Sequence, residues 1–247
     1  MPDRLVRLKL IVAYDGGPYL GWQSQKGGNT VQDILEGAFA AILGGRTAVH
    51  GAGRTDAGVH ALGQCAHADV EGSRLAPWEW RNALNARLPK EIRILRCTRA
   101  NAAFHARFSA RGKIYTYRIW NDVVLPPFEA GRAWHLVGKI DMDILQNRAA
   151  LLAGKHDFAG FSANRGHPPA DTVRELSKVR ARKRGPLLTL TFQGTGFLYK
   201  MARLMTGTLV RCAQGKADPA LVLETLGGKK TSFAAPAEGL CLTRVLY

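Results

Sequence analysis

Residues 50–64, HGAGRTDAGVHALGQ, gather one carboxylate, Asp56, one guanidinium, Arg54, and two imidazoles, His50 and His60, among four glycines and other small residues. A single ionised carboxylate can bond covalently to a sugar or base intermediate, or shield its charge. Gly53 and Gly58 let the backbone bend and let a substrate come close. Arg54, two residues before Asp56, either holds that carboxylate ionised or reaches outward to a phosphate or base edge. The same residues also suit an Asx-turn, in which the Asp only bonds its own backbone.

Other chemistry is hard to find in the 247 residues. GAGRTD lacks the third glycine and the following helix of a dinucleotide fingerprint, and GGRT lacks the lysine of a P-loop. There is no HExxH, no GxSxG and no paired DxD. His60, Cys65 and His67 lie close together, but their spacing fits no standard zinc pattern. The four cysteines are scattered and read as free thiols. An enzyme built from this chain is expected to work with side chains alone, without cofactor or metal.

The charge points to a partner. Lys plus Arg number 35 against 19 acids, a formal net charge of +16. Basic residues recur in RNALNARLPKEIRILRCTRA, FHARFSARGK and KVRARKRG, with no single basic tail. A folded basic face most often meets nucleic acid. No apolar run of about 18 residues suggests a membrane span, and the N-terminus reads as a strand rather than a signal peptide, so the cytoplasm is the expected compartment.

The elements that must position Asp56 follow from periodicity. LVRLKLIVAY (5–14) alternates as a strand. Thr30 can cap a helix with Val31, Ile34, Leu35, Ala38, Phe39 and Ile42 on one face, stopped at Gly44-Gly45. A short strand at 46–50 leads into the Asp segment, and a longer one follows at about 60–70. Pro77 suits the first turn of a second helix, and EIRILRCTRA makes the next strand. The second half repeats this order. KIYTYRIW is a strand, Asp141 opens a helix to about Ala153, and RELSKVRAR and LLTLTFQG pair across Gly185-Pro186. A helix over 198–213 carries Leu198, Met201, Met205, Leu209 and Cys212 on one stripe. A short helix and the strand CLTRVLY close the chain.

The fold class is therefore α+β, with two ferredoxin-like, RRM-like β-α-β-β-α-β halves of mainly antiparallel sheet, assigned to residues 1–106 and 107–247. Sheets of this topology often serve as RNA platforms, and often do not, so the topology alone leaves function open.

Seven segments resemble, in order, those of the TruA-type tRNA pseudouridine synthases: YDGGPYLGWQSQ (14–25), TVQDILEGAF (30–39), GRTDAGVHA (53–61), FHARFSARGKIYTYRI (104–119), GKHDFAGFS (154–162), GTGFLYKMARLMTG (194–207) and APAEGL (235–240). The resemblance implies the pseudouridine synthase fold, with its two halves flanking a central cleft. It implies a cofactor-free isomerisation of uridine to pseudouridine in the tRNA anticodon stem-loop, at positions 38, 39 and 40. It makes Asp56 the catalytic carboxylate, Tyr115 the active-site tyrosine, Arg203 the ion-pair partner of the Asp, and Arg54 a contact to the flipped nucleotide. It also implies a homodimer. In the central segment, His105, Arg107 and Lys113 either touch phosphates or are solvated charges. A non-catalytic RNA-binding protein on the same fold would explain the charge and the sheets equally well, but has no need of Asp56. A metal-free nuclease or glycosidase is disfavoured, because glycoside hydrolysis usually needs two acids and only one stands out.

Overall fold

The computed structural model describes residues 5–71, 75–163, 166 and 171–247. The chain divides into two compact units. One runs through Arg111 and takes in Leu242–Tyr247, and the other is Gly112–Cys241.

The first unit contains β1 (Val6–Tyr14), α1 (Val31–Leu43), β2 (His50–Gly51), β3 (His60–Val70), α2 (Pro77–Asn85) and β4 (Ile92–Arg99). β1 is central, with β4 and β3 antiparallel on either side. β2 adds to the outer edge of β3 through His50 opposite His67 and Gly51 opposite Ala66. The order β4-β1-β3-β2 is that of a ferredoxin-like sheet. Alternation places Leu8, Leu10, Val12 and Tyr14 of β1 in the core. They share it with Val31, Leu35 and Phe39 of α1 and with Trp80 and Leu84 of α2. Phe39 and Trp80 meet with ring centroids 5.6 Å apart. α1 starts and stops where its sequence says. The Thr30 hydroxyl accepts from the Asp33 amide at 3.2 Å, and Gly44 leaves the helix at φ 73°.

The second unit contains β5 (Gly112–Trp120), β6 (Trp134–His135), α3 (Met142–Ala150), β7 (Gly154–Asp157), β8 (Val173–Arg184), β9 (Leu187–Gly194), α4 (Met201–Ala213) and α5 (Leu221–Leu226). The last strand, β10 (Leu240–Leu246), begins in this unit and continues into the first, where it lies beside β3. β9 lies between β5 and β8, antiparallel to both. Tyr115, Tyr117 and Ile119 of β5 and Leu188, Leu190 and Phe192 of β9 fill one face, together with Leu145 of α3 and Met205, Leu209 and Cys212 of α4.

Several local features depart from the periodic reading, beginning with β2, which forms only at His50–Gly51 and not over 46–50. α3 stops at Ala150, because the amides of Leu152 and Ala153 turn back to the carbonyls three residues earlier. α4 begins at Met201 rather than 198, because Lys200 sits at φ 58° and closes a turn before it. β6 and β7, of two and four residues, are too short to produce an alternation signal. The loop SANRGHPP falls largely outside the described residues.

Candidate active site

Asp56 lies on the connection between β2 and β3, and that connection is built by backbone contact. The loop that follows β1 packs directly on it. Gly21, at φ 90°, has no room for a side chain: a β-carbon would stand 2.5 Å from the Thr55 carbonyl oxygen. At Gly16 it would stand 2.0 Å from the Val59 carbonyl oxygen. Both glycines are there for close approach, and Gly21 also takes a left-handed turn.

Hydrogen bonds lock the two loops together. The Trp22 amide donates to the Thr55 carbonyl at 3.1 Å, and the Gly58 amide to the Tyr19 carbonyl at 3.4 Å. The Thr55 and Tyr14 hydroxyls meet at 2.8 Å in the core. The Gln64 side-chain amide donates to the Gly53 carbonyl at 2.7 Å, and the Gly16 amide to His60 Nδ1 at 3.0 Å. The Trp22 ring packs against Gly51, where a β-carbon would fall 2.4 Å from it. The Gly21 and Trp22 carbonyls also receive the first amides of α1, Val31 at 3.1 Å and Gln32 at 3.0 Å, so helix start and Asp loop share one scaffold. Asp56 is held half-buried at the corner, where the Val59 amide donates to its backbone carbonyl at 3.1 Å. Arg54 is exposed and donates from Nε to Gln23 Oε1 at 3.0 Å.

The other candidates in this unit form a different group. His105, His67 and His50 pack as a trio: His50 stacks on His67 with centroids 4.9 Å apart, and His105 meets His67 edge-on at 4.6 Å. The Ala106 amide donates to His67 Nδ1 at 3.2 Å, and the Arg107 amide to His105 Nδ1 at 3.1 Å. Burial lowers the His67 pKa to about 4, helped by the neighbouring charges of His105, Arg7 and His50. His105 is lowered in the same way. Arg107 is exposed, its guanidinium 5.8 Å from the Phe108 ring centroid. His60 serves the Gly16 amide and Asp15, 3.2 Å away, while His67 faces the Ala106 amide, so they perform separate structural duties.

In the second unit, Tyr115 is buried on β5 opposite Phe192, and Phe197 meets its ring edge-on at 4.8 Å. Lys113 is the second residue of the same strand, opposite Gly194. Arg203 is half-buried on α4, and its Nε donates to the Ala235 carbonyl at 2.8 Å. The Ala235 amide returns a bond to the Arg203 carbonyl at 3.0 Å. Next along the chain, the Pro236 carbonyl accepts from the Tyr117 hydroxyl at 2.7 Å, and burial raises that phenol well above its ordinary range. The APAEGL segment is thus a strap that fixes both the arginine and the strand carrying the tyrosine.

Sequence reasoning missed several of these supports: Gln23, Tyr19, Trp22, the Tyr14–Thr55 pair and the Ala235 carbonyl. All but Thr55 lie in two of the quoted motifs, the YDGGPYLGWQSQ loop and APAEGL. Thr55 lies in the Asp motif itself.

Comparison with known proteins gives this arrangement its family. The pattern described as tRNA pseudouridine synthase matches residues 10–109 and 149–247, spanning the Asp loop in one unit and the Arg203 helix in the other. The tRNA pseudouridine synthase A of Akkermansia muciniphila is 46% identical over 253 residues, covering 98% of this chain and 96% of that protein. The tRNA pseudouridine synthase A of Geobacter sp. (strain M21) is 41% identical, with 97% and 98% covered, and that of Maridesulfovibrio salexigens is 43% identical, with 98% and 90% covered. The chain belongs to the tRNA pseudouridine synthase family.

Proposed function

We propose that this protein isomerises uridine to pseudouridine at positions 38, 39 and 40 in the anticodon stem-loop of tRNA, with Asp56 as the catalytic carboxylate. The observation that carries the reading is the family match over both units, with Asp56 held on a corner that backbone contacts leave little freedom to move. The reaction breaks the N1–C1′ bond, forms C5–C1′, releases the C5 proton and returns one to N1. It is redox-neutral and needs no external reactant, so one nucleophilic or charge-shielding carboxylate is a sufficient protein contribution.

In this reading Arg203 keeps Asp56 ionised, because a desolvated carboxylate without a cation would take up a proton. Tyr115 stacks on the extruded base, and Arg54 contacts the flipped nucleotide. Arg107, Lys113 and His105 supply phosphate contacts. The active particle is a homodimer in the cytoplasm. Among the described residues no helix is long and apolar enough to cross a membrane.

The test is tritium release from tRNA labelled at uracil C5. D56A should lose turnover while still binding tRNA. Full turnover by D56A would overturn the assignment of Asp56. Failure of the wild-type protein to form pseudouridine would leave only the non-catalytic RNA-binding reading. Native mass measurement checks the dimer.

A further inference from the structure

The KVRARKRG segment has no role in the site described above. It forms most of β8, and its register is unusual. Lys178, Arg180, Arg182 and Arg184 fall at every second residue of one strand, so all four project from the same sheet face. All are exposed, and they line a shallow groove of about 370 Å³ whose floor includes Thr189 and Thr191 of β9. Among the described residues none of the four side chains makes an ion pair or a hydrogen bond. Arg118, on the same face of β5, is by contrast neutralised by Glu129.

The face is also distinct from that of the candidate active-site tyrosine. Thr116 and Arg118 of β5 share the register of Thr191 and Thr189, while Tyr115 pairs with Phe192 and points to the opposite, buried side. The stripe therefore lies on the reverse of the sheet from Tyr115.

We infer that this stripe is a second tRNA-binding surface, gripping the phosphate backbone away from the nucleotide that reacts. The inference rests on the tRNA substrate proposed above. Cations at every second strand residue stand about 7 Å apart, a stripe of about 20 Å. Double-stranded DNA carries a phosphate on each strand every ~3.4 Å of its axis, and an RNA duplex is at least as densely charged, so four could be neutralised together. The side chains are long and unpaired, and the threonine floor donates hydrogen bonds without reading bases. A second copy of this chain is a poor occupant, because it would set four cations against four cations. Protecting a strand edge against aggregation is a weaker account, since one or two charges suffice for that.

The test compares K178T/R180T/R182T/R184T, which keeps strand propensity, with R46Q/R81Q/R87Q/K90Q, which removes the same charge from exposed positions of the first unit. Binding of full-length tRNA and of a minimal anticodon hairpin is measured across salt concentrations, with turnover on each. The stripe variant should bind full-length tRNA at least ~10-fold more weakly, and its log–log salt slope should be shallower by about 3. Its kcat, and its KM for the hairpin, should stay near wild type. The control variant should change each far less.

Equal losses in both variants would reduce the effect to net charge and overturn the inference. So would an unchanged salt slope, or a stripe variant whose native mass rises, which would make the stripe an edge guard. If the wild-type protein made no pseudouridine, the proposed function would fail while the binding comparison still tested the stripe. Replacing the four by the opposite cation, K178R with R180K, R182K and R184K, should restore the slope, which a folding defect would not.

Discussion

The Asp56 corner and the β8 stripe carry charge in opposite ways. At the corner one carboxylate is set in a frame of backbone, with Gly16 and Gly21 in contact with carbonyls of the loop that bears it. On the stripe four cations extend from a regular strand into solvent, and none has a partner among the described residues. Chemistry on a glycosidic bond needs an atom held to a fraction of an ångström, and rigid backbone supplies that. Holding a polyanion needs charge that can follow it, and long, unpaired side chains supply that. The contrast makes one region intolerant of small changes and the other tolerant of large ones.

The sharpest way to break it is to exchange effects. D56N changes one atom, and turnover should fall at least ~10³-fold with little change in melting temperature. The fourfold stripe variant removes four charges, and kcat should hold. A D56N protein that turns over normally, or a stripe variant with lost kcat, would erase the distinction. Next in size is Gly16→Ala. Its β-carbon would lie 2.0 Å from the Val59 carbonyl oxygen, which belongs to backbone and cannot swing away. The loop must shift, at a cost of about 3 kcal/mol, and turnover should fall with it. Denaturant unfolding and tritium release on the same protein check both. Gly27→Ala, where nothing lies within 4 Å but φ is 102°, should cost only about 1 kcal/mol of strain and leave turnover alone.

The contrast also explains what could be read in the sequence. The strands and long helices were legible because their signals are local: alternation in LVRLKLIVAY, the cap at Thr30, the stop at Gly44. The stripe was visible as KVRARKRG, although only the register of β8 with β9 puts its four cations on one face. The Asp corner was legible as a motif, but not as a mechanism of rigidity. Nothing local to Gly16 says that its missing side chain makes room for Val59, 43 residues away, or that the Tyr14 hydroxyl meets Thr55. Contacts between loops distant in sequence have no period. For the same reason the start of α4 was read three residues early: the positive φ of Lys200 is set by the turn before the helix, and the apolar stripe runs through it.

A smaller effect probes the frame from within. Thr55→Val removes the hydroxyl that meets Tyr14 at 2.8 Å and leaves a buried phenol without that partner. The cost should be about 2 kcal/mol, with a smaller loss of turnover than Gly16→Ala causes, because the backbone contacts remain. Tyr14→Phe added to it removes the other half of the pair, so the double variant should lose less stability than the two single variants summed. A double variant as unstable as the sum of the two singles would show that the pair does not act as a unit.

The smallest effect concerns the strand that leads into the corner. His50 on β2 faces His67 on β3, and His105 packs on both. His67 Nδ1 accepts the Ala106 amide, so protonating it would cost a hydrogen bond as well as placing a cation beside His105, Arg7 and His50, opposed in part by Asp69. Its pKa of about 4 lies below the ordinary value of 6.5, so between those values the unfolded chain binds a proton that the folded one refuses. Stability is then fully present above pH 6.5 and falls as the pH drops toward 4. Between pH 7 and 5 the loss should be about 1 kcal/mol, allowing for solvent around the exposed His50 side of the trio. H67N, whose Oδ1 takes the place of Nδ1 as acceptor for the Ala106 amide, should flatten that limb in denaturant unfolding. Asp69, lowered by its bond to Arg7, loses its contribution only below the ordinary carboxylate range and so leaves this window clear. His105, also lowered by burial and by the charges of His50, Arg7 and Arg107, contributes to the same limb, so a slope that survives H67N but is lost in H67N/H105N would assign the acid sensitivity to His105, and one that survives both would place it outside the trio.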